Sequence, residues 1–254
     1  MRIGYVVPTL GLNLPLLKQC LSSIRSFDDD CEIVLVAKES SDELIALAKL
    51  FSSTLLLETG RGVFGAVNQG VAFLVERKIP IFSFLGDDDI LMPNSGQNLI
   101  SAFQNSTTLA AYGQIWYVDK NLNVLMKNPG YPKLHKFLLW IPNLIPNPGT
   151  LISVEAWQKV GGYDEAYKWA GDLDFWLKIR ELGQIKFVDV PMSYFRWHED
   201  SLTAGQRDLS IAEATLVRTN HTKPYLLWFR KLWEVLLTNA GEHIRRKRMD
   251  SSLH

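Results

Sequence analysis

A chain of 254 residues, 47% of them hydrophobic, is long enough to bury a substantial core as one large α/β domain or two small ones. Its 27 Lys and Arg balance 27 Asp and Glu, so the overall charge points neither to nucleic acid nor to an acidic polymer as partner. Cys20 and Cys31 lack metal-binding spacing, and a reducing compartment is expected.

Residues Met1 to Pro8 lack the full apolar core of a signal peptide, and no later apolar run reaches the roughly 20 residues that cross a bilayer. A cytoplasmic location is therefore expected. Ile3 to Val7 is β-rich and ends at Pro8-Thr9, as a central strand does where it opens into a loop. Leu14, Leu16, Leu17, Leu21 and Ile24 recur at helical spacing, with Pro15 in the first turn. Cys31 to Ala37 reads as a second strand, Ser40-Ser41-Asp42 as the start of a helix, and Thr54 to Leu57 as a third strand. This β-α-β-α-β order predicts a parallel sheet with right-handed crossovers.

Gly60-Arg61-Gly62 then leads into a helix, Phe64 to Leu74, with Asn68 near its middle. Helix-start amides beside one Arg can cradle a diphosphate, although glycines before helices are more often plain turns. Position adds weight, because FSFLGDDDILMP (Phe82 to Pro93) follows. There an apolar strand, Ile81 to Leu85, stops at Gly86 and three consecutive aspartates. Adjacent carboxylates repel, so holding Asp87, Asp88 and Asp89 at a strand end costs free energy unless a cation shares them. Ligands of open α/β sheets bind at such strand ends, and oxygen donors suit Mg²⁺ or Mn²⁺ shared with substrate phosphates. A metal-assisted nucleotide-sugar or phosphate site is the expectation, with a plain acidic turn as the alternative.

Beyond it, Gln97 to Phe103 predicts a helix, Ala110 to Val118 a strand, and Asp119 to Asn123 a hairpin turn. Residues 127–150, rich in Pro, Asn and aromatics, read either as an acceptor-side lid with a short helix at His135 to Trp140 or as a loop packed on the core. Asn147 to Ile152 re-enters the sheet, and Glu155 to Val160 is a short helix. The helix AGDLDFWLKI begins with Asp172 and Asp174, of which at most one fits the buried face and the other can face a cleft. Ile185 to Val188 and Met192 to Arg196 predict two final strands, the second running into Trp197-His198. A lone His is more often structural than a ligand. From Pro224 a wide apolar helix face, including Leu226, Trp228, Phe229, Leu232 and Trp233, precedes the basic run Arg245 to Arg248. It can pack on its own domain or lie on an anionic membrane.

Five segments in this order resemble the inverting family-2 glycosyltransferases of the GT-A fold over about residues 1–205. They are Val6-Val7-Pro8-Thr9, FLGDDDILMP, Val160-Gly161-Gly162-Tyr163-Asp164-Glu165, AGDLDFWLKI and Tyr194-Phe195-Arg196-Trp197-His198. Gly62 to Gly70, with Asn68, is similar to the family's segment before the aspartate strand. The resemblance implies a Rossmann-like, mostly parallel sheet flanked by helices. A nucleotide-sugar half would span about 1–118, an acceptor half about 119–205, and a C-terminal helical extension 206–254. It implies a hexosyl transfer, of the kind used in polysaccharide or glycan assembly, from a UDP-, GDP- or dTDP-sugar to a glycan or lipid-linked acceptor, with Mn²⁺ or Mg²⁺.

By position, the resemblance makes Asp172 the catalytic base, gives Asp87 to the nucleotide, and gives Asp88, Asp89 and His198 to the metal. It also places Pro8, Thr9, Arg61 and Asn68 along the donor. Two departures stand out: Gly86 where the family has Asp, and Ala37-Lys38-Glu39 where an Asp contacts the nucleotide base, with Glu39 as stand-in. They keep open a catalytically inactive nucleotide-sugar-binding module. A sugar-phosphate nucleotidyltransferase is the other alternative, though the Gly-rich basic loop it needs after the first strand is replaced by Pro8-Thr9-Leu10-Gly11. No nucleic-acid partner is expected. Peripheral contact with the cytoplasmic membrane face through residues 224–248 stays open beside packing of that helix on the domain.

Overall fold

The computed structural model describes residues 1–27, 30–93, 99–105, 107–197, 206–230 and 232–233. Strand β1 (Ile3–Thr9) is central, as its apolar run requires, with parallel β2 (Glu32–Ala37) on one side and parallel β4 (Ile81–Phe84) on the other. Strand β3 (Thr54–Leu57) extends the parallel set beyond β2. Helix α1 (Leu14–Phe27) starts at Asn13, which accepts the Leu16 N–H. Helix α2 (Asp42–Leu50) is capped by Ser41, which accepts the Leu44 N–H at 3.1 Å.

Helix α3 (Gly62–Glu76) packs on β1 closer than side chains normally allow. A Cβ on Gly70 would stand 2.4 Å from Val6, and one on Gly4 would stand 2.4 Å from Leu74. These two glycines let the helix that follows the Arg61 loop sit hard against the central strand, which sets where that loop opens.

The second half is mixed rather than mostly parallel. Strand β5 (Ile90–Leu91) follows the aspartate turn and pairs antiparallel with a strand far along the chain. Strand β6 (Thr108–Val118) forms the predicted hairpin with β7 (Val124–Asn128), and β8 (Leu151–Ser153) bridges β6 to β4 antiparallel. Among the described residues the order is β3-β2-β1-β4-β8-β6-β9-β5, where β9 is Gln184–Arg196, with β7 on β6. The two final strands expected from sequence are one strand, β9 (Gln184–Arg196), parallel to β6. Register shifts around Gln114, opposite Pro191, absorb the proline that appeared to divide it.

Helices α4 (Val154–Val160) and α5 (Gly171–Ile179) follow β8. The helix expected at His135 to Trp140 is only a 3₁₀ turn, Leu134–Phe137, and Pro142 bars its continuation, since it lacks an N–H and disfavours helical backbone at the residue before it. Helix α6 (Arg207–Asn220), which opens the C-terminal extension expected over 206–254, packs on α5 and contributes Val217 to the core. After the 3₁₀ turn Pro224–Leu226, the start of the tail turns onto the 127–150 segment: the Trp233 indole donates to the Trp140 carbonyl at 2.6 Å, and Phe229 meets the Trp140 ring edge-on. Cys20 and Cys31 are both buried thiols. Among the described residues, no helix is long and apolar enough to cross a membrane.

Candidate active site

The parallel strands end together, and the polar residues just past them gather on one edge. Thr9 ends β1 level with Ala37 of β2, which is level with Leu57 of β3. Exposed Glu39 follows β2, and the exposed Arg61 side chain follows β3. From β4, Gly86 to Asp89 form a tight turn closed by the Asp89 N–H on the Gly86 carbonyl at 3.2 Å. The Thr9 hydroxyl donates to Asp87 at 2.5 Å and accepts the Gly11 N–H at 3.0 Å, joining the ends of the two central strands.

The departure at Gly86 has a steric basis in this chain. A Cβ there would stand 2.9 Å from Asp88 Oδ1 and 3.0 Å from Asp89 Oδ2, so glycine leaves room for both carboxylates to fold back over the turn. Asp89 is buried, accepts the Gly86 N–H through Oδ2, and leaves Oδ1 with no partner among the described residues. Burial, and after it the neighbouring Asp88 charge, pushes its carboxyl well above the usual range despite main-chain hydrogen bonds from Gly86 and Arg196. The Cys20 thiol lies beneath, 3.5 Å from the Gly86 carbonyl, and burial together with these aspartates pushes it up as well.

Arg196, at the end of β9, holds the turn from behind. Its guanidinium is buried and donates to the main-chain carbonyls of Asp88 at 3.0 Å and Lys120 at 2.6 Å, and to Gln19 Oε1 at 2.8 Å. Sequence reasoning missed this role, because Arg196 looked like a strand terminus. His198, expected as a metal ligand, lies outside the described residues. Among the described residues no three His, Cys, Asp or Glu side chains form a ready-made cation cage. A crowded carboxylate turn with an orphaned buried oxygen nevertheless fits a hard divalent cation that completes its coordination on substrate phosphates.

On the facing side, Asn68 acts as a joint. Its Nδ2 donates to the Tyr163 carbonyl at 2.8 Å, while its Oδ1 accepts the Tyr163 N–H at 2.9 Å and the Trp157 indole N–H at 3.1 Å. Both ends of the amide are thus committed inside the protein, which removes Asn68 from the expected donor contacts. Glu165 accepts the Arg61 N–H at 3.1 Å and so ties down the loop that starts α3. Tyr163 stacks on Phe175 of α5 at 4.3 Å and meets Phe84, the last residue of β4, edge-on at 5.7 Å. This aromatic ladder couples the helix carrying Asp172 to the strand carrying the aspartates.

Asp172 and Asp174 divide as their spacing suggested. Asp174 is buried and paired with Lys178 at 2.6 Å and His221 of α6 at 2.7 Å. Burial works against its charge, but His221 and Lys178 outweigh it and hold the carboxyl below the usual range. Asp172 is half-buried in the first turn of α5. Its Oδ2 accepts from the Asn143 amide at 2.9 Å and the Asn147 amide at 3.1 Å, and its Oδ1 accepts the Leu173 N–H at 2.7 Å. Burial raises its carboxyl above the usual range, and those N–H donors oppose the rise. The start of α5 is braced from α6: Glu213 accepts the main-chain N–H groups of Lys168 at 2.9 Å, Trp169 at 2.5 Å and Ala170 at 2.7 Å.

A parallel nucleotide-type half, an aspartate turn at its carboxyl edge and a second carboxylate on a mixed-sheet half define the GT-A class of glycosyltransferase. Residues 5–159 match the model of Glycosyl transferase family 2, and the chain belongs to that family. The match stops before α5, so Asp172 and its brace lie beyond it. Among relatives, the chain is 25% identical over 183 residues to an uncharacterised glycosyltransferase of Rickettsia prowazekii, covering 65% of this chain and 54% of that one. It is 22% identical over 199 residues to the hyaluronan synthase of Pasteurella multocida, covering 72% of this chain and 20% of the synthase. The chain thus spans about half the length of the first of these relatives and a fifth of the second. Among solved structures, a mannosyltransferase of Pyrobaculum calidifontis in complex with GDP-Man and Mn²⁺ superposes with a TM-score of 0.66 at 16% identity, covering 99% of this chain and 80% of that one. S. aureus TarS (1–349) in complex with UDP-GlcNAc superposes with a TM-score of 0.65 at 13% identity, covering 87% and 66%. These likenesses establish the α/β fold, with its curled sheet flanked by helices.

Proposed function

We propose that the chain transfers a hexosyl group from a nucleoside-diphosphate sugar to an acceptor hydroxyl, with inversion at the anomeric carbon. The observation that carries this reading is the Gly86–Asp89 turn at the carboxyl edge of the sheet, where Asp89 keeps a buried oxygen with no partner among the described residues. Asp88 and Asp89, with His198 as a further ligand, would hold Mn²⁺ or Mg²⁺, whose charge would stabilise the departing diphosphate. Thr9 orients Asp87, and Pro8, Asp87 and Glu39 line the nucleotide end. Arg61 offers a bidentate cation to the phosphates. Asp172 removes the acceptor proton as the hydroxyl attacks. The test is release of nucleoside diphosphate from a panel of UDP-, GDP- and dTDP-sugars, with and without Mn²⁺. In the donor that turns over, Asp172→Asn should lose roughly a hundred- to ten-thousandfold in rate and keep donor affinity. Donor binding without turnover in the wild type, for every donor and acceptor tried, would instead favour a binding module.

The acceptor in this reading is a glycan or lipid-linked glycan reached at the cytoplasmic membrane face. Support comes from Tyr225 and Trp228, 67% and 70% exposed at the start of the tail, followed in sequence by the basic run Arg245 to Arg248.

A further inference from the structure

We propose that Asn143 and Asn147 are positioning residues that decide which oxygen of Asp172 acts as the base: they occupy Oδ2 and leave Oδ1 to receive the acceptor proton. This inference rests on the assignment of Asp172 as base. A carboxylate oxygen offers two in-plane acceptor sites. On Oδ2 both are taken, by the Asn143 and Asn147 amides at 2.9 and 3.1 Å. On Oδ1 one is taken, by the Leu173 N–H at 2.7 Å, and among the described residues no second donor reaches the other. The acceptor O–H therefore approaches Oδ1. Its proton passes to that oxygen as the new C–O bond forms at the anomeric carbon, and the old C–O electron pair leaves with the diphosphate.

Each asparagine is itself placed for this task. Asn143 Oδ1 accepts the Ile145 N–H at 3.1 Å, which fixes its amide plane and aims Nδ2 at Asp172. Asn147 Oδ1 is buried with no partner among the described residues. It lies on the same amide that grips the base, where it can accept a second hydroxyl of the acceptor. A sugar with neighbouring hydroxyls, one reacting and one donating to Asn147, matches this pair.

The clamp also sets when the base is ionised. Burial favours the neutral acid, and the two amides favour the carboxylate. The titratable neighbour coupled to Asp172 is Tyr163, whose buried phenol is pushed up by burial and by Asp172 itself. Its charge does not change across the working range.

The test is the Asp172 carboxyl titration, read in the full chain by ¹³C NMR after labelling aspartate carboxyl carbons, with Asp172→Asn assigning the signal. Asn143→Ala removes the donor to Asp172 without adding a charge, and Asn147→Leu removes the other donor at similar size. Each variant should shift the titration upward by about one pH unit. On the donor selected by the panel, the acid limb of the rate profile should move by the same amount, with activity returning at higher pH. An unmoved titration in variants that melt like the wild type overturns the clamp, as does a loss of rate equal at every pH. If Asp172→Asn keeps full turnover, the base assignment fails instead, whatever the asparagine variants do.

Discussion

Glu213 offers the sharpest test of how the base is carried, because one side chain holds the start of α5 and lies outside the segment that matches the family. Its two oxygens receive three main-chain N–H groups, from Lys168, Trp169 and Ala170, at the positive end of the helix that begins at Gly171. Hydrogen bonds to a charged acceptor contribute about 1.5–3 kcal/mol each, but the Lys168 bond is exposed and water can replace part of the others. Glu213→Ala should therefore cost about 2–4 kcal/mol in total. In a chain of this size that lowers the melting temperature by about 5–15 °C. Glu213→Gln keeps one acceptor oxygen and should fall between the two. The assay pairs thermal melting with donor turnover and donor affinity below the melting transition. Turnover should fall, because the first turn carrying Asp172 loosens, while donor affinity holds, because Thr9, Arg61 and the aspartate turn are anchored elsewhere. A melting temperature within a degree of wild type, or an equal loss of donor binding, refutes the reasoning.

Asp88→Ala should abolish Mn²⁺-dependent nucleotide binding and leave the melting temperature unchanged or higher, since one of the repelling charges is gone; binding that survives in this variant, or in excess chelator, removes the metal from the reading. Asp174 has a folded pKa below the ordinary carboxylate value, so its contribution to stability is complete above that value and disappears as pH falls through the folded one. The stability gap between wild type and Asp174→Asn should thus be present at pH 6 and shrink below about pH 4, as followed by urea unfolding. A gap that grows on acidification would falsify the pairing with Lys178 and His221. Truncation after Trp233 keeps the packing on Trp140 and should spare donor hydrolysis while abolishing sedimentation with anionic vesicles. Truncation after Lys223 uncovers Trp140 and should destabilise the chain, and vesicle binding that survives the longer truncation removes the tail from the membrane contact.

Much of the nucleotide half was legible because its signals are local. Short apolar runs ended by Pro8-Thr9 and by Gly86 mark strand ends, and Ser41 before Asp42 marks a helix start that the structure confirms in detail. The pairing rule for Asp172 and Asp174 was also local, following from helical spacing alone. What escaped depends on partners far apart in sequence. Nothing near Arg196 shows that its guanidinium meets residues 19, 88 and 120. Asn143 and Asn147 stand in a Pro-rich loop where asparagine is the ordinary turn residue, and their aim at Asp172 exists only after folding. Helix α6 was expected only as part of a helical extension over 206–254 and not bounded, because among its described residues Val217 alone is fully buried, too faint a stripe to mark its ends. Asn68 was expected along the donor from its position alone, but the turn at Gly162-Tyr163 folds back and claims its amide.

The way Arg196 grips the aspartate turn bears on how such an enzyme changes over generations. The guanidinium donates to the carbonyl of Asp88, a group every residue possesses, and gives its other bonds to the Lys120 carbonyl and Gln19 Oε1. At position 88 the shape of the turn is therefore insured separately from the chemistry of the side chain. A lineage that exchanges the carboxylate at 88 would keep a folded, cleft-bearing protein, so a silent binding module would lie one substitution from a transferase. The reverse step is equally short, since the scaffold that would present a regained aspartate is never dismantled.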